Sequence, residues 1–177
     1  MGDIWSEFVN FLLGAYSAPF VFLPLVFVYA IAIAVVLPIP IELSLVKPIL
    51  DQDWGYLFWI ALALAAGKTV GSWLIFYLGV RVENGIRWWS TKWRFAEWFV
   101  EKADLFVQKT GYLGLYFLLS IPLMSDTIPI YLYSLFNKEG KALERNLFLL
   151  ANFLAALNRV SILAGLFVIG VDLLRGA

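Results

Sequence analysis

Long apolar stretches alternate with short polar turns along the chain, and these stretches predict its helices. Residues 18–37 and 55–80 approach or exceed the roughly 20 residues that a helix needs to cross a bilayer, and residues 146–174 form a third long stretch. Residues 111–136 are equally apolar but contain two prolines, and residues 38–50 are too short to cross. The pattern predicts an all-α protein with three long helices and two interrupted segments.

The two interrupted segments share a unit in which an acid follows a proline by four residues. Pro-Ile-Pro-Ile-Glu occupies 38–42, and Pro-Leu-Met-Ser-Asp occupies 122–126. Proline breaks helices, and a carboxylate in hydrocarbon is costly. We therefore predict helix breaks near Glu42 and Asp126 at membrane depth. The prolines expected to make these breaks are Pro38, Pro40, Pro122 and Pro129.

Composition favours an integral membrane protein. The chain is 62% hydrophobic and 15% charged, whereas a soluble domain is roughly half apolar and a quarter charged. It has no cysteine, which excludes disulfides and thiolate metal sites, and no histidine, the usual proton shuttle. A net charge of zero gives no indication of nucleic-acid binding. We expect one membrane domain over residues 1–177, without metal, cofactor or nucleic-acid partner.

Basic residues are concentrated in two connecting segments. Residues 81–110 carry six Lys or Arg and residues 138–145 carry three, whereas the acidic turn at 51–53 carries none. Basic loops face the cytoplasm, so the acidic turn should face outside. Residues 111–136 would then enter and leave on the cytoplasmic side as a re-entrant hairpin. Residues 18–50 would form a second hairpin from the outside.

This arrangement predicts two inverted halves, each a re-entrant broken-helix hairpin followed by a transmembrane helix. The halves cover about 18–80 and 111–174, joined by an amphipathic connector over 81–110. The tryptophans and basic residues of the connector are typical of a helix at the membrane interface, and residues 4–16 form a second such helix. Inverted repeats place a substrate site near the midplane, where broken helices meet.

Five ionisable side chains lie within apolar sequence, and such residues usually face a protein interior and pair with one another. Three bases against two acids would leave one net positive charge, which suits an anionic headgroup. Shifting Lys68 by the 84-residue spacing of the two acids leads to Asn152, also polar. The alternative is a set of structural ion pairs, and Lys47 would extend to the interface. The five are Glu42, Lys47, Lys68, Asp126 and Arg159.

Small residues form a stripe along the helix that contains Lys68. Gly67-Lys68-Thr69 is similar to the end of a phosphate-binding loop, but Leu62 stands where that loop needs its first glycine, and the segment lies inside an apolar helix. Gly67, Gly71 and Gly79 are instead expected to let a neighbouring helix approach closely.

The motifs together resemble the DedA family of the VTT (SNARE-associated) superfamily. The first half carries Pro38-Ile39-Pro40-Ile41-Glu42, then Gly67, Gly71 and Tyr77-x-Gly79. In the second half, residues 119–125 correspond to the family's Arg-Phe-x-Pro-x-x-Arg stretch. The essential glutamate carries over to Glu42. The paired arginines do not, because Leu119 and Ser125 hold their places, so the chain resembles a divergent member.

The resemblance implies opposed re-entrant hairpins and lipid transport, either flipping of polyprenyl phosphates or scrambling of phospholipids. We expect a multi-pass protein of the plasma or inner membrane that moves a lipid or lipid-linked phosphate, as a flippase or scramblase. Its partners would be membrane lipids with anionic or polyprenyl-phosphate headgroups, and a homo-oligomer is compatible with the sequence. Glu42 and Asp126 would couple transport to protons. Lys68, Arg159 and Asn152 would complete the site.

An enzyme is not expected, because the chain lacks histidine, cysteine and a carboxylate-rich metal cluster, and we assign no catalytic residue. Two alternatives to lipid transport stay open. One is a structural or assembly protein of the membrane, in which the charges only stabilise packing. The other is a transporter of a small solute or ion.

Overall fold

The computed structural model describes residues 14–36, 41–90, 94–136 and 143–175, and every regular element in these ranges is helical. The prediction of an all-α protein is therefore confirmed. The elements in chain order are α1 (Pro19–Val35), a 3₁₀ turn (Ile41–Ser44), α2 (Val46–Leu50), α3 (Trp54–Ser90), α4 (Arg94–Ser120), α5 (Thr127–Leu135) and α6 (Arg145–Arg175).

Two helices in the described part of the chain are long and apolar enough to cross a membrane. They are Trp54–Leu78 within α3 and Arg145–Gly170 within α6, close to the stretches that hydropathy marks. Helix α3 itself continues beyond the predicted transmembrane stretch 55–80, without interruption, to Ser90. The chain becomes polar there without a proline, so the apolar stretch ends but the helix does not.

The expected boundary between the polar connector and the second apolar hairpin coincides with a kink in α4. Gly111 has φ 54° and ψ −143°, a conformation that glycine adopts without the steric cost of a Cβ. Before the kink, Ala103 and Val107 are buried while Glu101 and Lys102 are exposed, as in an amphipathic helix. The tryptophan-rich side chains of 88–98, and residues 4–13, lie outside what the structure describes.

Helix α1 packs along α3 through the small residues of the predicted stripe. A Cβ added at Gly67 would collide with the backbone oxygen of Phe27, and one added at Gly71 would lie 2.6 Å from the Cβ of Ala34. The two backbones therefore approach closely. Gly79 lies on the same helix, where side chains are not described. Helix α3 also contacts α5 and α6, so it lies at the centre of the packing.

The second interrupted segment contains one break between helices, at residues 121–126. Pro122 lies in it, as expected. Pro129 does not break a helix as predicted; it lies in the first turn of α5. The missing N–H of proline costs little there, because the first N–H groups of a helix have no intrahelical partner. Pro38 and Pro40 lie outside the described residues.

Candidate functional site

Four of the five ionisable side chains singled out in the sequence meet inside the protein. Glu42 comes from the 3₁₀ turn, Lys68 from α3, Asp126 from the residue before α5, and Arg159 from α6. Their relative exposures are 8%, 0%, 1% and 1%, respectively. These four residues are called the charge cluster below. The two acids thus share one buried site despite their separation of 84 residues in sequence.

Asp126 lies between the two bases of the cluster. Its Oδ1 atom is 2.9 Å from Nζ of Lys68 and 3.0 Å from Nη2 of Arg159. Both distances are those of ion pairs, although neither contact has the angles of a hydrogen bond. Nη1 of Arg159 lies 3.6 Å from Oε1 of Glu42. Arg159 is therefore the residue that links the two acids.

Arg159 is also bound to the backbone of the second break. Its Nε donates to the carbonyl of Leu119 at 2.9 Å, and its Nη1 donates to the carbonyl of Met124 at 3.2 Å. A helix leaves its last carbonyls unsatisfied, and Leu119 lies in the last turn of α4. The planar guanidinium can serve carbonyls and carboxylates together, so Arg159 fixes the shape of the break as well as its charge.

Glu42 contacts the second break directly. The backbone N–H of Leu123 donates to Oε1 of Glu42 at 2.8 Å, and Leu123 has a φ of 63°. This left-handed conformation costs a residue with a Cβ roughly 1–2 kcal/mol. A strained residue thus directs its N–H at the carboxylate from the other half of the chain, a contact that sequence reasoning missed.

Replacing Leu123 by glycine tests this strain. Leu123→Gly is expected to leave stability unchanged or raise it by up to about 1 kcal/mol, because relief of the left-handed strain offsets the greater backbone freedom that glycine gives the unfolded chain. Thermal unfolding in detergent measures the effect. The exposed Leu166→Gly change, in the interior of α6, is the control and should destabilise by about 1 kcal/mol. If Leu123→Gly lost more stability than the control, Leu123 would not hold a strained left-handed conformation.

Two further bonds join α5 to the end of α1. Oγ1 of Thr127 donates to the carbonyl of Ile33 at 2.8 Å, and the hydroxyl of Tyr131 donates to the carbonyl of Val35 at 2.9 Å. Both acceptors lie in the last turn of α1, where carbonyls lack intrahelical partners. Side chains of the second half therefore cap a helix of the first half beside the charge cluster.

Asn152 lies on α6 about two helical turns before Arg159, and it is bound to Ser72, which the sequence did not single out. Its Oδ1 accepts from Oγ of Ser72 at 2.8 Å, and its Nδ2 donates to the carbonyl of Phe148 at 2.8 Å. Ser72 lies one helical turn from Lys68, so this pair holds α3 against α6. Both polar side chains are buried, and their bonding to each other meets the requirement that buried polar groups be satisfied.

Lys47 does not join the cluster. Its Nζ lies 2.7 Å from Oδ2 of Asp51 at the exposed end of α2, and 5.4 Å from the ring centre of Tyr16. Partial burial, and then the nearby Asp51 and Asp53, raise the pKa of Tyr16. The expected count of three bases against two acids therefore does not hold. The cluster has two of each, and their formal charges cancel.

Several oxygens in and beside the cluster have no hydrogen-bond partner among the described residues. They include Oε2 of Glu42, Oδ2 of Asp126 and Oγ of Ser125, all buried. A buried polar atom without a partner is costly, so these oxygens can accept a proton or a ligand group. In the described ranges, no group of three or more acidic side chains is placed to hold a metal ion.

Comparison of the chain with protein-family models, curated proteins and solved structures finds no match. The likeness to DedA proteins therefore rests on the motifs alone. Over the residues that the structure describes, the protein is all-helical and has two helices of membrane-crossing length. At its centre, two helix interruptions meet at a buried, neutral cluster of four charges.

Proposed function

We propose that this protein is a multi-pass membrane transporter of the DedA/VTT type, which moves a lipid or lipid-linked phosphate across the plasma or inner membrane. The observation that carries the proposal is the charge cluster. Charged groups at membrane depth are costly and commonly mark substrate or proton pathways. Here both acids come from interruptions in helices, and each has an oxygen without a hydrogen-bond partner in the described part of the chain.

The lengths of the helices support re-entrant hairpins. At 1.5 Å per residue, α5 is about 14 Å long and the part of α4 after Gly111 is about 14 Å long. Each arm reaches about half-way across a hydrocarbon core of roughly 30 Å. Helix α1, at about 25 Å, covers most of that core, so helix length by itself supports a re-entrant hairpin in the second half. Two such hairpins from opposite sides would meet near the midplane, as in transporters built from inverted repeats.

The cluster supplies a route for coupling to protons. In its resting form the charges of the four side chains cancel. A proton taken up by the free oxygen of Glu42 or Asp126 would leave one net positive charge among them. The protonated cluster would attract an anionic headgroup, and loss of the proton would release it. Proton movement and headgroup movement would then be linked through these two carboxylates.

Reconstitution into vesicles tests the proposal. The purified protein is expected to accelerate translocation of a fluorescent phosphatidylglycerol, and Glu42→Gln and Asp126→Asn are each expected to slow it by about tenfold or more. Asp51→Asn removes an acid of the exposed pair with Lys47 and is the matched control, with wild-type rates expected. Unchanged transport in both cluster variants would exclude the carboxylates from the mechanism.

A structural role is the second candidate, favoured by the burial and mutual pairing of the four side chains. In that case the cluster only holds the helices together, as buried ion pairs do in other proteins. Purified wild-type protein would then move no lipid. The cluster variants would lose folded protein in proportion to any loss of cellular function. Measuring transport and thermal unfolding on the same preparations separates the two roles.

A further inference from the structure

Lys68 and Arg159 direct their charges at one atom. Nζ of Lys68 and Nη2 of Arg159 lie 2.9 and 3.0 Å from the same oxygen of Asp126. The other oxygen of that carboxylate has no hydrogen-bond partner within the described ranges. An arginine that holds a carboxylate tightly uses two parallel hydrogen bonds, which is not the arrangement here. Both cations therefore converge on one oxygen of Asp126, and Glu42 balances the second positive charge only from 3.6 Å, through Arg159.

A helix end adds to this positive region. Asp126 immediately precedes α5, a helix of nine residues, yet its side chain makes no capping hydrogen bond to that helix. The N-terminus of a helix carries partial positive charge and is suited to phosphate groups. The buried donors Nζ of Lys68 and Nη2 of Arg159 lack hydrogen bonds of good geometry among the described residues. Both lie within 3.0 Å of the side chain of Asp126, the residue that precedes this helix.

We propose that Lys68, Arg159 and the start of α5 form a phosphate-binding site, which the carboxylate of Asp126 fills when no ligand is present. The ligand's phosphate would bind by displacing Asp126. This inference rests on the proposed function, in that it names the part of the substrate that enters the cluster. It adds that one of the cluster's own acids is the competitor of the substrate.

The two acids have different contacts, and these contacts determine which acid leaves the site when a phosphate binds. Asp126 belongs to the non-helical segment 121–126, and its described side-chain contacts are the two ion pairs. Glu42 accepts a hydrogen bond from the N–H of Leu123 and lies farther from Arg159. When Asp126 withdraws, Glu42, Lys68 and Arg159 retain one net positive charge. A phosphate monoanion would restore neutrality.

Removing the competitor tests the site. In detergent at constant ionic strength, the melting temperature of Asp126→Ala is expected to rise with added acetate or inorganic phosphate. The rise should reach about 5 °C or more at a hundred times the dissociation constant. Wild type should need an anion concentration at least ten times higher for the same rise in melting temperature. The matched control Asp51→Ala, in the exposed pair, and the double change Lys68→Met/Asp126→Ala should show no such response.

An Asp126→Ala protein that folds but is not stabilised by either anion overturns the inference. If the variant does not fold alone, recovery of folded protein in acetate or phosphate supports the site, and failure to recover in either contradicts it. Adding phosphatidic acid to the same micelles shows whether the site prefers the phosphate of a lipid headgroup or free phosphate. A response at far lower concentration than for inorganic phosphate indicates a lipid headgroup, and an equal response indicates a site for free phosphate.

The vesicle assay fails or succeeds separately from this binding assay. Anion binding by Asp126→Ala without lipid transport by wild type would leave the phosphate site standing and remove the proposed transport. Transport by wild type without anion binding by Asp126→Ala would leave the proposed transport standing and remove the phosphate site.

Discussion

Arg159→Met is expected to lower the free energy of unfolding by about 3–5 kcal/mol, the loss typical of removing one partner from a buried ion pair. The side chain is 1% exposed, so its loss leaves Glu42 and Asp126 with Lys68 alone. It also removes the hydrogen bonds to the carbonyls of Leu119 and Met124. Thermal or denaturant unfolding of the purified protein in detergent measures the effect.

Two further variants test whether the loss of stability comes from removing the buried guanidinium group. Arg145→Met changes an exposed arginine at the start of the same helix, which contacts the hydroxyl of Tyr77, and should cost less than about 1 kcal/mol. Arg159→Lys keeps the charge but loses the planar donor group, so its stability should fall between wild type and Arg159→Met. If Arg159→Met were as stable as Arg145→Met, the cluster could not hold the two breaks together.

Gly67→Ala is expected to destabilise the packing of α1 on α3 by about 1–3 kcal/mol, the usual cost of overpacking. The added methyl group would meet the backbone oxygen of Phe27 and would lie 2.8 Å from the Cβ of Ala30. Backbone atoms cannot turn aside as a flexible side chain can. The two helices would therefore have to separate. This would happen next to Lys68, whose ammonium group belongs to the charge cluster.

Gly165→Ala on α6 is the matched control for this change. No atom of the described residues lies within 4 Å of a Cβ placed there, and alanine is favoured over glycine in a helix by up to about 1 kcal/mol. Gly165→Ala should thus be neutral or stabilising when measured by the same unfolding transition. Equal stability changes in the two variants would mean that α1 does not approach α3 as closely as described.

Much of the helical plan could be predicted because apolar length is a direct signal. The spans Trp54–Leu78 and Arg145–Gly170 each begin one residue before the predicted stretches 55–80 and 146–174. They end two and four residues before the ends of those stretches. The kink at Gly111 falls where polar sequence gives way to apolar sequence. The continuation of α3 to Ser90 could not be inferred in the same way, because a change in polarity ends a burial pattern without ending a helix.

The candidate site was predictable in its residues but not in its connections. Charge within apolar sequence singled out Glu42, Lys68, Asp126 and Arg159. The carbonyls that bind Arg159 and the N–H of Leu123 belong to a break whose geometry has no sequence signal, since leucine rarely adopts positive φ. The role of Pro129 had a usable signal. Asp126 and Thr127 precede it, a combination typical of the start of a helix.

The central claim is that an acid of the second break and a base of the first half share one buried site. A double-mutant cycle with Lys68→Met and Asp126→Asn tests it most directly. Each single change leaves one uncompensated charge in the cluster, whereas the double change removes one charge of each sign and leaves Glu42 with Arg159. The double variant should be more stable than the sum of the single changes predicts, by at least about 1 kcal/mol. Stability changes that add to within about 0.5 kcal/mol would contradict the contact between α3 and the second break, and with it the shared buried site.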